Sequence, residues 1–191
     1  MGGNADKIAE RGVWVIVIIA LFVAIFVPGP AKRFAEKVES PELPEVEIVH
    51  GGAVDNVPLE EELQHYIANA CRYYDIDKYL VYAVIEQESG YQVDAVGDNG
   101  ESFGLMQIQP KWHEERMMSY EVSDLLNPYE NITIGIDILN EKIDEGLGIE
   151  WALMAYNGGN QYANEMTAYG TVSDYAEEVM ERYERLRNEG N

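Results

Sequence analysis

Cys71 is the only cysteine in the 191 residues of this chain, so no intrachain disulfide can form. It falls within an apolar helical pattern and reads as a small core residue. Histidine is almost as scarce: His50, His65 and His113 share no ligand-like spacing, so no zinc site is indicated and no cofactor is expected. Positive charge is short as well, with 13 Lys and Arg against 35 Asp and Glu, a net charge of −22. From Asp55 onward 8 Lys and Arg face 28 Asp and Glu. Such a surface repels nucleic acid and anionic lipid headgroups, so no nucleic-acid partner is expected. No internal repeat is visible, and there is one long apolar run.

That run is Val13 to Val27, uncharged throughout and bounded by Arg11 and by Pro28-Gly29-Pro30. It has no polar face, which argues against a soluble helix. Taken as residues 13–30 it reads as a single-pass transmembrane signal anchor, because it is long for a signal peptide's apolar region and no Ala-x-Ala site follows. Secretion after cleavage is the alternative. On the anchor reading residues 1–12 are a short cytoplasmic tail. Residues 31–57 are then an acidic linker, with Pro41, Pro44, Glu39, Glu42, Glu45, Glu47 and Gly51-Gly52 leaving nothing periodic to pack. Lys7 and Arg11 before the span, against Lys32, Arg33 and Lys37 after it, slightly oppose this orientation.

Residues 58–188 read as one mainly helical domain with at most a small β element. Pro58 followed by Glu60-Glu61-Glu62 suits a helix start, and the apolar period continues to Tyr74. Asp77 caps a second helix, Lys78 to Ser89. The segment from Tyr91 to Phe103 is a loop whose Asp98-Asn99-Gly100 leaves room for a hairpin. Gly104 to Met118 is expected to be helix broken around Pro110, and Pro128 opens a long helix ended by Gly146 and Gly148. A short helix over Ile149–Asn157 is expected to close at Gly158-Gly159. The last helix is expected to start at Asp174, with Glu177 completing a capping box.

The informative stretch runs from Val84 to Ile108. Leu80, Val81, Val84, Ile85 and Glu88 share one helix face, so Glu88 sits on the apolar stripe, while Glu86 lies about 200° away and should face water. Gly90 stops the helix just beyond. A desolvated carboxyl at a helix C-terminus has its pKa raised, as a general acid near neutral pH requires. Periodicity alone leaves open a salt-bridged carboxyl at an ordinary helix end.

Glu88-Ser89, then Gly104-Leu105-Met106-Gln107-Ile108, then Ala155-Tyr156-Asn157-Gly158-Gly159 resemble, in order, the three signature segments of the soluble lytic transglycosylase domain, a relative of goose-type lysozyme. The resemblance covers Leu59 to Leu186. It implies a lysozyme-like fold and an enzyme that cuts peptidoglycan glycan strands, with Glu88 as acid and then base. It further implies Ser89, Met106, Gln107, Tyr156, Asn157 and Tyr175 as substrate-binding residues, with the Tyr175 hydroxyl near the catalytic carboxyl. In this family no second carboxylate is needed, because the 6-hydroxyl of N-acetylmuramic acid attacks within its own sugar.

Asp98 resembles an acidic loop position of goose-type lysozyme, which would make it a water-positioning residue. Gln109 stands where that family tends to place a second acid. The lytic transglycosylase is the favoured reading and a hydrolytic muramidase the first alternative. A non-cleaving peptidoglycan-binding part of a secretion, conjugation or phage apparatus is the second. The substrate places the catalytic domain outside the cytoplasm, on a cell-membrane anchor.

Overall fold

The computed structural model describes residues 54–190; the expected tail, anchor and most of the linker lie outside the described residues. Among those described, no helix is long and apolar enough to cross a membrane. Helix α1 spans Glu61–Tyr74. It begins three residues later than Pro58 suggests, because the buried Gln64 side chain ties down the entering chain instead. Gln64 Oε1 accepts from the Asp55 N–H at 2.9 Å, and its Nε2 donates to the Leu59 carbonyl at 2.9 Å. Helix α2 spans Lys78–Ser89, capped by Asp77 through the Tyr79 N–H and ended by Gly90. Leu80 through Ile85 are all buried, so this helix runs through the core rather than along it.

Strands β1 (Val96–Gly97) and β2 (Ser102–Phe103) pair antiparallel, Val96 opposite Phe103 and Gly97 opposite Ser102. Asp98 and Asn99 take left-handed backbone in the turn, which their short polar side chains tolerate. A 3₁₀ turn, Pro110–Trp112, and helix α3, Glu114–Ser119, follow. Helix α4, Pro128–Asp144, is capped by Asn127. Helix α5, Ile149–Ala168, is two helices meeting at Gly159, whose φ of 82° and ψ of 164° are non-helical; the first closes at the Gly158-Gly159 pair as expected, and a second starts directly beyond it. Helix α6 spans Asp174–Glu189. Its cap is Ser173, which accepts from the Ala176 N–H, so the cap lies one residue before Asp174 and the alanine at its third position cannot complete the expected box.

The central α2 packs against α6 and α1; α4 packs against α1 and α5, and α5 also packs against α6. Cys71 is part of this core, and burial followed by the Asp77 charge pushes its thiol up to about 12. It is an inert thiol.

Candidate active site

Helix α6 runs antiparallel to α2 and reads its last turn residue by residue. Arg185 Nη2 donates to both oxygens of Glu86, at 2.7 and 2.6 Å, and Gln87 Nε2 donates to Glu178 at 2.8 Å. The Tyr175 hydroxyl donates to Glu88 Oε1 at 2.6 Å. Glu86 thus turns away from Glu88, but it is half-buried beneath Arg185 rather than open to water. Periodicity within one helix could not anticipate the helix that covers it.

Burial pushes the Glu88 carboxyl up to about 7, the Tyr175 hydrogen bond holds it back, and the negative charge of Asp98 adds to the rise. Tyr175 is itself held well above the ordinary tyrosine range by burial and then by the Glu88 charge, so it stays a donor. Tyr156 is raised in the same way, first by burial and then by Glu88. Its hydroxyl donates to the Met106 carbonyl at 2.9 Å. Among the described residues Glu88 Oε2 has no protein hydrogen bond, so one carboxyl oxygen is fixed and the other is available.

The Gly104–Ile108 segment is a tight loop, not the helix that its apolar residues suggest. Phe103 and Ile108 exchange backbone hydrogen bonds at 3.1 and 3.0 Å, closing it, and Gln107 adopts a left-handed φ of 46°. One face of α4 is cut to receive it. Asn131 Oδ1 accepts from the Met106 N–H at 2.8 Å, while its Nδ2 donates to the Phe103 and Leu125 carbonyls at 2.8 and 2.9 Å. One turn further along, Gly135 leaves the space that the Met106 side chain fills: a Cβ there would lie 2.2 Å from Met106 Sδ. Gly104 is equally constrained, since a Cβ would meet Asn131 Nδ2 and the Leu125 carbonyl, each at 2.4 Å.

The loop therefore turns two of its expected substrate contacts inward. Met106 is fully buried against α4. Gln107 Nε2 donates to the carbonyls of Ala95 and Gly104, at 3.3 and 2.9 Å, and ties the loop to the chain leading into β1. Ser89 also serves its own helix, with its buried hydroxyl donating to the Ile85 carbonyl at 3.1 Å. Asn157 is exposed, one residue past Tyr156 on α5.

Asp98 lies exposed at the hairpin turn. Its Oδ2 accepts from the Ser102 hydroxyl and from Gln109 Nε2, the latter at 2.8 Å. Gln109 Nε2 also reaches Ser102 Oγ at 3.1 Å. The amide thus supplies donors to a site already holding one carboxylate, where an acid at position 109 would bring a second negative charge. Glu88, Tyr175 and Tyr156 come together, with Asp98 acting on Glu88 through its charge. Sequence reading missed Asn131, Ser102 and Arg185. Of these only Asn131 left a signal: with Gly135 it puts a polar and a minimal residue four apart on a face otherwise built of isoleucine and leucine. Among the described residues no group of three or more His, Cys, Asp or Glu side chains is placed to hold a metal ion.

Comparison with known proteins matches residues 65–178 to the transglycosylase SLT domain family. The chain is 29% identical over 121 residues to the invasion protein IagB of Salmonella typhi, across 60% of this chain and 72% of that one. It is 33% identical over 98 residues to the transglycosylase of Enterobacteria phage PRD1, across 51% of this chain and 35% of that one. An inactive mutant of the lytic transglycosylase Slt from Pseudomonas aeruginosa shares its fold with a TM-score of 0.54 and 19% identity, over 66% of this chain and 24% of that one. The chain thus spans about a quarter of that solved structure.

Proposed function

We propose that this chain, which belongs to the transglycosylase SLT domain family, is a peptidoglycan lytic transglycosylase that cleaves between N-acetylmuramic acid and N-acetylglucosamine. One observation carries the reading. Glu88 is held near neutrality by burial, with one oxygen fixed by Tyr175 and the other without a protein partner. Such a carboxyl gives its proton to the glycosidic oxygen as the C1–O4 bond breaks. The resulting carboxylate then takes the proton of the muramic 6-hydroxyl as O6 bonds to C1, which closes a 1,6-anhydro ring and restores Glu88. No water enters and no second protein base is used.

A hydrolytic muramidase is the second reading, favoured by the charge of Asp98 acting on Glu88. Against it, Asp98 is already occupied by Ser102 and Gln109, which suits a residue that fixes the hairpin. Purified sacculi digested with the protein should release muropeptides with 1,6-anhydro ends, lighter by one water than free reducing ends in mass spectrometry. Asp98→Asn should lower the rate less than about tenfold, against the roughly 10²–10⁴-fold typical of losing a general acid or base. Reducing ends together with collapse of Asp98→Asn would establish the muramidase instead.

The proposal extends to location. Residues 13–30 anchor the chain in the cell membrane, and the acidic linker carries the domain to the wall. The likeness to an invasion protein and to a phage transglycosylase supports local wall opening for a larger wall-spanning apparatus. The full chain should resist carbonate extraction, whereas one beginning at Glu39 should be soluble. Crosslinking in the same membranes then reads whether larger assemblies hold it. A secreted product beginning near Ala31 would show that the segment is a cleaved signal.

A further inference from the structure

The 3₁₀ turn Pro110–Trp112 contains no buried residue, and Trp112 keeps 72% of its surface exposed. An indole left in water forgoes the stabilisation that burial would bring, so its position calls for another explanation. The ring is nevertheless held in place. Its Nε1–H donates to Gln109 Oε1 at 3.1 Å, and its backbone N–H donates to the Gln109 carbonyl at 3.1 Å. The Lys111 ammonium, itself paired with Glu101, lies 5.4 Å from the ring centroid. Gln109 in turn donates to Asp98 at 2.8 Å, and the charge of Asp98 reaches Glu88. A bonded path therefore leads from the acid's surroundings, across the hairpin, to a fixed and open aromatic ring.

We propose that Trp112 is a stacking platform for an N-acetylhexosamine of the glycan strand, away from the bond cut at Glu88. The indole N–H is already used and Lys111 lies over one face, so the ring offers its other π face, which suits the C–H face of a pyranose. Glu101 neutralises the Lys111 cation over the ring, and Asp98 adds negative charge on the far side of Gln109, so an anionic ligand gains no attraction there while a neutral sugar carries no penalty. The inference rests on the glycan-cleaving function proposed above and adds a binding subsite to it.

The test uses the full chain and purified sacculi. Trp112→Ala should raise the half-saturating amount of sacculi about tenfold, with kcat within about twofold and an unchanged melting temperature. Trp112→Phe keeps a ring and should stay within about threefold of wild type. An unchanged KM in Trp112→Ala, or a fall in kcat alone, would overturn the platform. Pelleting with sacculi is measured on the same proteins. If wild type binds sacculi but releases nothing, cleavage fails while pelleting still decides the platform: weaker retention of Trp112→Ala supports it, and equal retention overturns it.

Discussion

Glu88→Gln is expected to cut muropeptide release from sacculi by at least about 10²–10⁴-fold while leaving sacculus binding within about twofold. Glutamine keeps the shape and still accepts the Tyr175 hydrogen bond, but it has no proton to give. Glu86→Gln is the informative control, two residues away on the same helix turn. Because Glu86 carries Arg185, that change should cost about 1 kcal/mol of stability, yet lower activity less than roughly tenfold. Equal losses in the two variants would show that the acid lies elsewhere. Full activity in Glu88→Gln would sink the proposed function.

The same residue sets two pH dependences. If the protonated carboxyl starts the reaction, the rate should fall about tenfold per pH unit above the Glu88 value of about 7. Stability follows from the direction of the shift. The folded value lies above the reference of 4.5, so folding favours the protonated form. That stabilisation is fully present below the unfolded value and is lost as pH rises through about 7; it amounts to about 3 kcal/mol. Glu88→Gln has no carboxyl to ionise there. It should be more stable than wild type at pH 8 and close to it below pH 5, as read by urea unfolding. Parallel stability profiles would mean that Glu88 is not desolvated.

Local signals made most of the helices legible. The Asp77 cap, the Gly90 stop, the Pro128 start and the apolar periods act within a few residues of chain, and each is realised where it occurs. Features that need a second segment were not legible. Pro58 looked like a helix start, but Gln64 reaches back to hold the entering chain in a series of bends. Gly158-Gly159 does stop the first part of α5, but nothing before it announces the second helix that begins directly beyond. The site divides in the same way. The position of Glu88 on an apolar stripe follows from spacing alone, whereas the cover over Glu86 depends on a helix almost a hundred residues away. Met106 and Gln107 carry the recognisable motif, but Met106 turns inward because α4 offers Asn131 and Gly135 at the right places, and Gln107 because the Ala95 and Gly104 carbonyls take its amide.

Asn131→Leu is accordingly expected to be among the most destabilising single changes in the domain, although Asn131 touches no proposed substrate group. Leucine has the same branching and number of side-chain heavy atoms but is larger, so no cavity forms; the effect is lost hydrogen bonding with some overpacking at a fully buried position. The change orphans the Met106 N–H and the Leu125 carbonyl, and takes from the Phe103 carbonyl one of its two donors, the Ile108 N–H remaining. Each buried unpaired group costs roughly 1–3 kcal/mol, and partial relaxation puts the sum near 3–5 kcal/mol. That is a large share of the roughly 5–15 kcal/mol that holds a typical domain together. Asn131→Asp separates the two halves of the side chain's work. It keeps the acceptor for Met106 but loses the amide donors, and should recover part of its loss at low pH, where a protonated carboxyl donates once. Asn140→Ala, further along α4 with only an exposed bond to Asp144, should stay within about 0.5 kcal/mol. Urea unfolding of the three variants at pH 5 and pH 8 checks the order. If Asn131→Leu were as mild as Asn140→Ala, the Gly104–Ile108 loop would be held by Gly135 and its own backbone closure. The motif's geometry would then not depend on the asparagine.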